Sequence, residues 1–117
     1  MRLEIKPELC RVNDALGILT GKWKPIILLH LLTKGTQRFS ELKRNIPGIT
    51  QKILTNQLRD LEEEDIVQRV VYPQVPPKVE YSMTDYGKSL EPILRTMHDW
   101  GAKHSLHMKQ KNVSEKI

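Results

Sequence analysis

Two short helices joined by a proline-glycine turn are the feature that most constrains the fold of this 117-residue chain. Ser40 is a good N-cap for a helix that runs to about Asn45. The dipeptide Pro47-Gly48 then forces a tight turn, and Thr50 caps a second helix over residues 51–64. Two helices connected by so short a glycine-containing turn are typical of a helix-turn-helix motif.

The second of these helices has two unlike faces. At about 100° per residue, Leu54, Leu58 and Leu61 fall on one side and are expected to pack inside the protein. The opposite side presents side chains that can bond bases or phosphates, namely Gln51, Lys52, Thr55, Asn56 and Arg59. Acidic residues crowd the end of the helix, over 62–65, where DNA would repel them. We therefore expect the N-terminal part of this helix to enter a DNA groove.

Positive charge is concentrated around the same motif. The chain has a formal net charge of +5, and the segment 34–59 alone holds six cationic residues and one acidic residue. Counterion release from phosphates needs clustered cations, so this distribution favours a double-stranded DNA partner over a merely solvated basic face. The alternative function is a winged-helix module whose basic face binds a protein, and the salt dependence of binding would separate the two.

The flanking segments predict a mainly α fold with a small β-hairpin (α+β). Residues 9–33 hold two helices, of which the second, over 25–32, is apolar nearly all round and marks the buried centre. Residues 36–64 hold a short strand and the helix-turn-helix. Two strands within residues 66–83 flank a proline-rich loop. A hairpin that follows a recognition helix is a wing, and Lys78 gives this one positive charge.

The last predicted helix, within residues 84–108, carries more apolar surface than a small monomer would cover. Thr84 is expected to cap it, Pro92 to kink it, and the tail from Lys109 onward to fray. Its apolar stripe consists of Leu90, Ile93, Leu94, Met97 and Trp100. The whole chain, 1–117, is interpreted as one domain.

Composition disfavours several other classes of protein. The longest apolar stretch is far shorter than the roughly 20 residues of a membrane span. The N-terminus lacks the pattern of a signal peptide, so we expect a cytoplasmic protein without membrane contact. His30 is interpreted as a hydrogen-bonded core residue. His104 and His107 could share a helix face, but two imidazoles do not make a metal site, and no cofactor is predicted.

The single cysteine, Cys10, cannot form an internal disulfide or a multi-thiolate metal site. A thiol enzyme would need a base near Cys10, and no histidine lies close to it in sequence, so no catalytic site is predicted.

The order and spacing of five short motifs resemble the HxlR-type winged helix-turn-helix transcriptional regulators of bacteria. The motifs are Gly21-Lys22-Trp23-Lys24, Arg38-Phe39-Ser40-Glu41-Leu42, Pro47-Gly48-Ile49, Val75-Pro76-Pro77-Lys78-Val79-Glu80-Tyr81 with Thr84, and Trp100-Gly101. The resemblance implies a homodimer, interpreted as a repressor, on a pseudo-palindromic operator. It places the Gln51–Arg59 face in the major groove and the wing near the flanking backbone or minor groove. The DNA-contacting residues expected are Arg38, Ser40, Thr50, Gln51, Lys52, Thr55, Asn56, Arg59 and Lys78.

The resemblance also implies dimerisation through the first and last helices. The interface residues expected are Val12, Leu16, Leu90, Leu94, Met97 and Trp100. Some members of the family sense quinones, aldehydes or hypochlorite through a thiol at the position of Cys10, which implies an oxidant or small-molecule effector. A helix N-terminus and neighbouring Arg11 favour a thiolate there, while the alternative is a small residue packing the dimer seam. Asp65 stands where members commonly have glycine.

Overall fold

The computed structural model describes residues 6–7 and 10–115 of the chain. In chain order the elements are α1 (Val12–Leu19), α2 (Lys24–Lys34), β1 (Gln37–Arg38), α3 (Phe39–Asn45), α4 (Gln51–Glu63), β2 (Val67–Tyr72), β3 (Lys78–Met83), a 3₁₀ turn (Gly87–Leu90) and α5 (Glu91–Glu115). Helices therefore dominate, and the hairpin lies between α4 and the 3₁₀ turn. The predicted mainly α fold with a small sheet is confirmed.

The three strands form one antiparallel sheet in the order β1-β3-β2. In the hairpin, Val67 pairs with Met83 at the base and Tyr72 pairs with Lys78 near the tip. Side chains alternate between the two faces of a strand, and Tyr81 and Met83 of β3 are both buried. Their face of the sheet is therefore the inner one, which packs against the helices.

The core is built around α2 and the apolar side of α4. Ile27 and Leu28 of α2 are fully buried, as the apolar run predicts. In α4, Leu54, Leu58 and Leu61 are buried at the spacing expected for one helical face. These two helices thus fix the orientation of the opposite, polar side of α4.

Membrane crossing was tested on the described residues. None of the helices there is by itself both long and apolar enough to cross a membrane. Only α1 and α2 taken together meet that criterion, by length and composition alone, and they are bent by 79° relative to each other.

The start of α3 differs from the prediction that Ser40 is its N-cap. The helix begins at Phe39, and Arg38 is the N-cap residue. The Glu41 carboxylate accepts a hydrogen bond from the Arg38 backbone N–H at 3.0 Å, so a glutamate in the first turn satisfies this end of the helix. Ser40 lies inside that turn instead.

The last helix also differs from its prediction. Thr84 caps the 3₁₀ turn, because its Oγ1 accepts the Gly87 N–H at 2.8 Å. The α-helix begins only at Glu91, so Pro92 lies in the first turn, where its missing N–H costs no hydrogen bond and no kink is needed. The helix also continues to Glu115 rather than ending near Lys109.

His30 is a further correction. Its Nδ1 is buried and makes no hydrogen bond with any described residue, contrary to the expected hydrogen-bonded core histidine. Burial, and secondarily the charge of Lys34, lower the pKa of His30 from its ordinary value of 6.5. The neutral imidazole is therefore the form that suits this position.

The end of α4 is tied to the elements that follow it. Asp65 has a φ of 60°, in the left-handed region that Asp tolerates better than most residues. Thr84 Oγ1 donates a hydrogen bond to the Asp65 carbonyl oxygen at 2.6 Å while accepting from Gly87. A methyl group on Gly87 would overlap the backbone of Ile66, with the carbonyl carbon only 2.9 Å away. This junction sets the angle between α4 and the hairpin.

Candidate nucleic-acid interface

The turn between α3 and α4 is anchored from below. Ile46 and Ile49 are buried on either side of exposed Pro47, and Gly48 has a φ of 82°. The Thr50 hydroxyl accepts the Ile53 N–H at 3.1 Å and thereby caps α4. The N-terminus of α4 consequently projects from the protein in a fixed direction.

The outer face of α4, consisting of Gln51, Lys52, Thr55, Asn56 and Arg59, is directed to solvent. Thr55 is half-buried and the other four residues are exposed. The structure thus brings these five predicted residues to one surface. Ser40 of α3 and the cap residue Thr50 are also exposed, at the N-terminal ends of the two helices of the motif.

The cations around this surface are not neutralised by neighbouring acids. In the part of the chain that the structure describes, the ion pairs join Arg11 to Asp14, Lys24 to Asp60, Lys78 to Glu80, Lys88 to Asp85 and Arg95 to Glu91. None of them uses a cation of segment 34–59. The acid that borders the outer face, Asp60, is itself held by Lys24 at 3.3 Å. The positive charge of the motif is therefore available to an external anion.

Lys78 differs from the expected freely available lysine of the wing. Its Nζ lies 3.8 Å from a Glu80 carboxylate oxygen and 4.9 Å from the centre of the Tyr72 ring. A hydrogen bond from the Tyr72 hydroxyl to Glu80, together with the carboxylate charge, raises the pKa of that phenol. Because Lys78 and Glu80 alternate with the inner-face residue Tyr81, this cluster lies on the side of the sheet away from α4.

Arg38 also occupies the outer side of the sheet, since it pairs with Glu80 while its neighbour Gln37 pairs with Tyr81. Arg38 is exposed, but the register separates it from the outer face of α4.

Arg69 is a residue that the sequence prediction missed as a site candidate. It pairs with Tyr81 in the hairpin, so it belongs to the face of the sheet that packs against α4. Together with Thr55, Arg59, Glu62 and Tyr81 it lines a cleft of about 360 Å³, which we term the arginine cleft. The alternation of Val67, Arg69 and Val71 was the available signal, because it places all three on one face.

The predicted dimer surface is divided by the structure. Leu94 is only 4% exposed and belongs to the core of a single chain, and Leu90 packs against that core. The 3₁₀ turn before α5 sets the rotation of the helix and directs these two residues inward. By contrast, Val12, Leu16 and Met97 are exposed, and Trp100 is 63% exposed. An unpartnered apolar surface therefore remains on α1 and α5.

Cys10 is half-buried and lies two residues before α1. Its neighbour Arg11 is paired with Asp14 at 3.4 Å, so the cation expected to favour a thiolate is shared with a carboxylate. Among the described residues, no group of three histidine, cysteine or acidic side chains is arranged to hold a metal ion. His104 instead stacks on the Trp100 ring, with 4.9 Å between ring centres.

Comparison with known proteins gives a consistent assignment. The family model for the HxlR-like helix-turn-helix matches residues 18–109. The Bacillus subtilis (strain 168) proteins YtcD and YdeP, both described as uncharacterized HTH-type transcriptional regulators, are 56% identical over 93 residues (80% of this chain, 73% of YtcD) and 52% identical over 95 residues (81% of this chain, 73% of YdeP).

Among solved structures, the redox regulator HypR is similar in two states. Its reduced form has a TM-score of 0.80 and 46% identity, covering 86% of this chain and 99% of that chain. Its oxidized form has a TM-score of 0.74 and 51% identity, covering 80% of this chain and 96% of that chain. With its winged helix-turn-helix architecture and these matches, this chain belongs to the HxlR-like family of helix-turn-helix transcriptional regulators.

Proposed function

We propose that this chain is a sequence-specific DNA-binding regulator that acts as a homodimer, with the outer face of α4 in the major groove. The observation that carries the proposal is the exposed outer face surrounded by cations that no described acid neutralises. In this arrangement the amides of Gln51 and Asn56 read base edges, since an amide matches the paired donor and acceptor of adenine. Lys52 contacts phosphate, which positions the helix without reading sequence.

The homodimer is supported by the apolar surface that a single chain leaves open. Val12 and Leu16 of α1 and Met97 and Trp100 of α5 are exposed, and a soluble chain gains by burying such side chains against a second copy. A two-fold dimer would present two copies of α4 to a pseudo-palindromic operator. The half-sites would then be separated by about one helical turn, on the order of 34 to 36 Å.

We further propose that Cys10 makes the dimer responsive to oxidants. Support comes from its partly exposed thiol and from the similarity to HypR, which is described as a redox regulator. Two Cys10 thiols of one dimer would form a disulfide, losing two protons and two electrons to an oxidant such as hypochlorite. In this proposal the reduced dimer occupies its operator and represses, and oxidation releases it. Oxidant-induced release should disappear in Cys10→Ser, and unchanged release would contradict this role.

The DNA-reading role is tested by selecting binding sequences from a random duplex library and then comparing variants on the selected site. Gln51→Ala should weaken binding to the selected site by about 1 to 3 kcal/mol and relax the preference at one base pair. Lys52→Ala should weaken selected and random duplexes alike. Enrichment of no sequence, or equal losses on both duplexes for Gln51→Ala, would contradict base reading and favour the protein-binding alternative or a non-specific DNA binder.

A further inference from the structure

The arginine cleft between α4 and the hairpin has no role in the base-reading surface described above. We infer that Arg59 and Arg69 form a two-armed clamp that holds one phosphate of the DNA backbone in this cleft. The inference deepens the proposed function and rests on it. A winged helix-turn-helix straddles the backbone between the groove occupied by its helix and the groove approached by its wing. A phosphate of that backbone strand would face the cleft.

The first argument is convergence of charge from two separate elements. Arg59 lies in α4 and Arg69 in β2, and both line the same cleft of about 360 Å³. Both are exposed, and neither forms an ion pair with any described residue. Two unpaired guanidinium groups at one cleft repel each other, and an anion placed between them removes that repulsion. Guanidinium also matches the oxygens of a phosphate through paired hydrogen bonds.

The second argument is the position of Arg69 in the strand. Val67 is buried on the inner face of β2, and the partner of Arg69 across the sheet, Tyr81, is also buried. An arginine between such neighbours contributes no apolar packing that a valine would not provide better. Placed at this register position, however, its charged end is directed to the side of the sheet on which α4 lies. The anion-binding interpretation explains why a cation occupies an inner-face position.

The third feature of the cleft is an opposing charge. The Glu62 side chain also lines the cleft and is half-buried. It forms no ion pair with either arginine among the contacts of the described residues. A carboxylate here would repel a bound phosphate. Removing its charge should therefore strengthen DNA binding, an effect opposite to that of removing an arginine.

The test uses the full chain and a selected duplex in a salt series, with binding followed by fluorescence anisotropy. Arg69→Ala and Arg59→Ala should each reduce the slope of log affinity against log salt by about 0.9, the value for one lost phosphate contact. Arg69→Ala should weaken selected and random duplexes by the same factor. Glu62→Gln should strengthen binding to both. Arg95→Ala, which removes an exposed arginine from α5, is the matched control and should change neither affinity nor slope.

A second readout locates the clamp on the DNA. Methylphosphonate substitution neutralises the backbone phosphates of the duplex one at a time. The wild-type chain should lose affinity at one phosphate per half-site at which Arg69→Ala loses none. Wild-type binding with an unchanged slope in Arg69→Ala, or weaker binding by Glu62→Gln, would overturn the clamp while leaving the proposed function intact. Absence of wild-type binding to any duplex would overturn both.

Discussion

Thr84 is expected to be worth far more to stability than its single hydroxyl suggests. That hydroxyl donates to the Asp65 carbonyl oxygen at 2.6 Å and accepts the Gly87 N–H at 2.8 Å. Valine has the same shape and can make neither bond, so Thr84→Val tests the two hydrogen bonds with little change in packing. We expect a loss of about 1 kcal/mol at the exposed Asp65 and about 1 to 3 kcal/mol at the buried Gly87, whose N–H is left without a partner.

The assay is urea unfolding followed by far-ultraviolet circular dichroism. Thr84→Val should lower the free energy of unfolding by about 2 to 4 kcal/mol with an unchanged dependence on urea. Measurements at two protein concentrations separate this loss from an effect on dimerisation. Thr84→Ser, which keeps the hydroxyl and removes a methyl group, is the control. The reasoning is refuted if Thr84→Ser loses as much as Thr84→Val, or if Thr84→Val loses less than about 0.5 kcal/mol.

Two further predictions concern Asp65 and His30. Because Asp65 has a φ of 60°, Asp65→Gly should be more stable than Asp65→Ala by about 1 to 2 kcal/mol in the same urea assay. The pKa of His30 is lowered by burial and by Lys34, so an unfolded chain takes up a proton at this residue more readily than the folded one. The stability due to neutral His30 is therefore complete above about pH 6.5 and decreases as the pH falls from there toward the lowered pKa. His30→Gln should reduce this acid-side loss, measured as unfolding free energy from pH 5 to 8.

Each of these predictions has a control among neighbouring or similar residues. Asp65→Asn removes the charge but keeps a side chain that tolerates the left-handed region, so it should resemble the wild type. Equal stability of the glycine and alanine variants would show that the backbone conformation is unimportant. For the pH dependence, exposed His107→Gln should follow the wild-type curve. A His30→Gln curve parallel to wild type would contradict the assignment of the acid-side loss to His30.

Local patterns in the sequence predict most of the fold because each depends on nearby residues. The boundaries of α1, the cap at Thr50 and the buried side of α4 follow from periodicity and capping. The start of α3 was misassigned because Glu41 satisfies the N–H of Arg38, an interaction that competes with a serine cap. The inward rotation of Leu94 depends on the 3₁₀ turn that precedes α5, which helical periodicity does not indicate.

The candidate site was predicted less completely than the fold. The outer face of α4 lies within one helix, so a single angular rule places its residues together. The division of the wing cations depends instead on strand register. Lys78 pairs with Glu80 on the side away from α4, whereas Arg69 pairs across the sheet with Tyr81 and lines the cleft beside α4. Charge alone cannot distinguish these two positions.

The central claim is that the outer face of α4 and the surrounding cations bind DNA with sequence preference. It is tested most directly by fluorescence anisotropy of the reduced protein on a selected duplex and on a shuffled duplex across a salt series. We expect tighter binding to the selected duplex and a log–log salt slope of about −0.9 for each phosphate contacted. Absence of binding to both duplexes at low salt, or a salt-independent affinity, would contradict the claim.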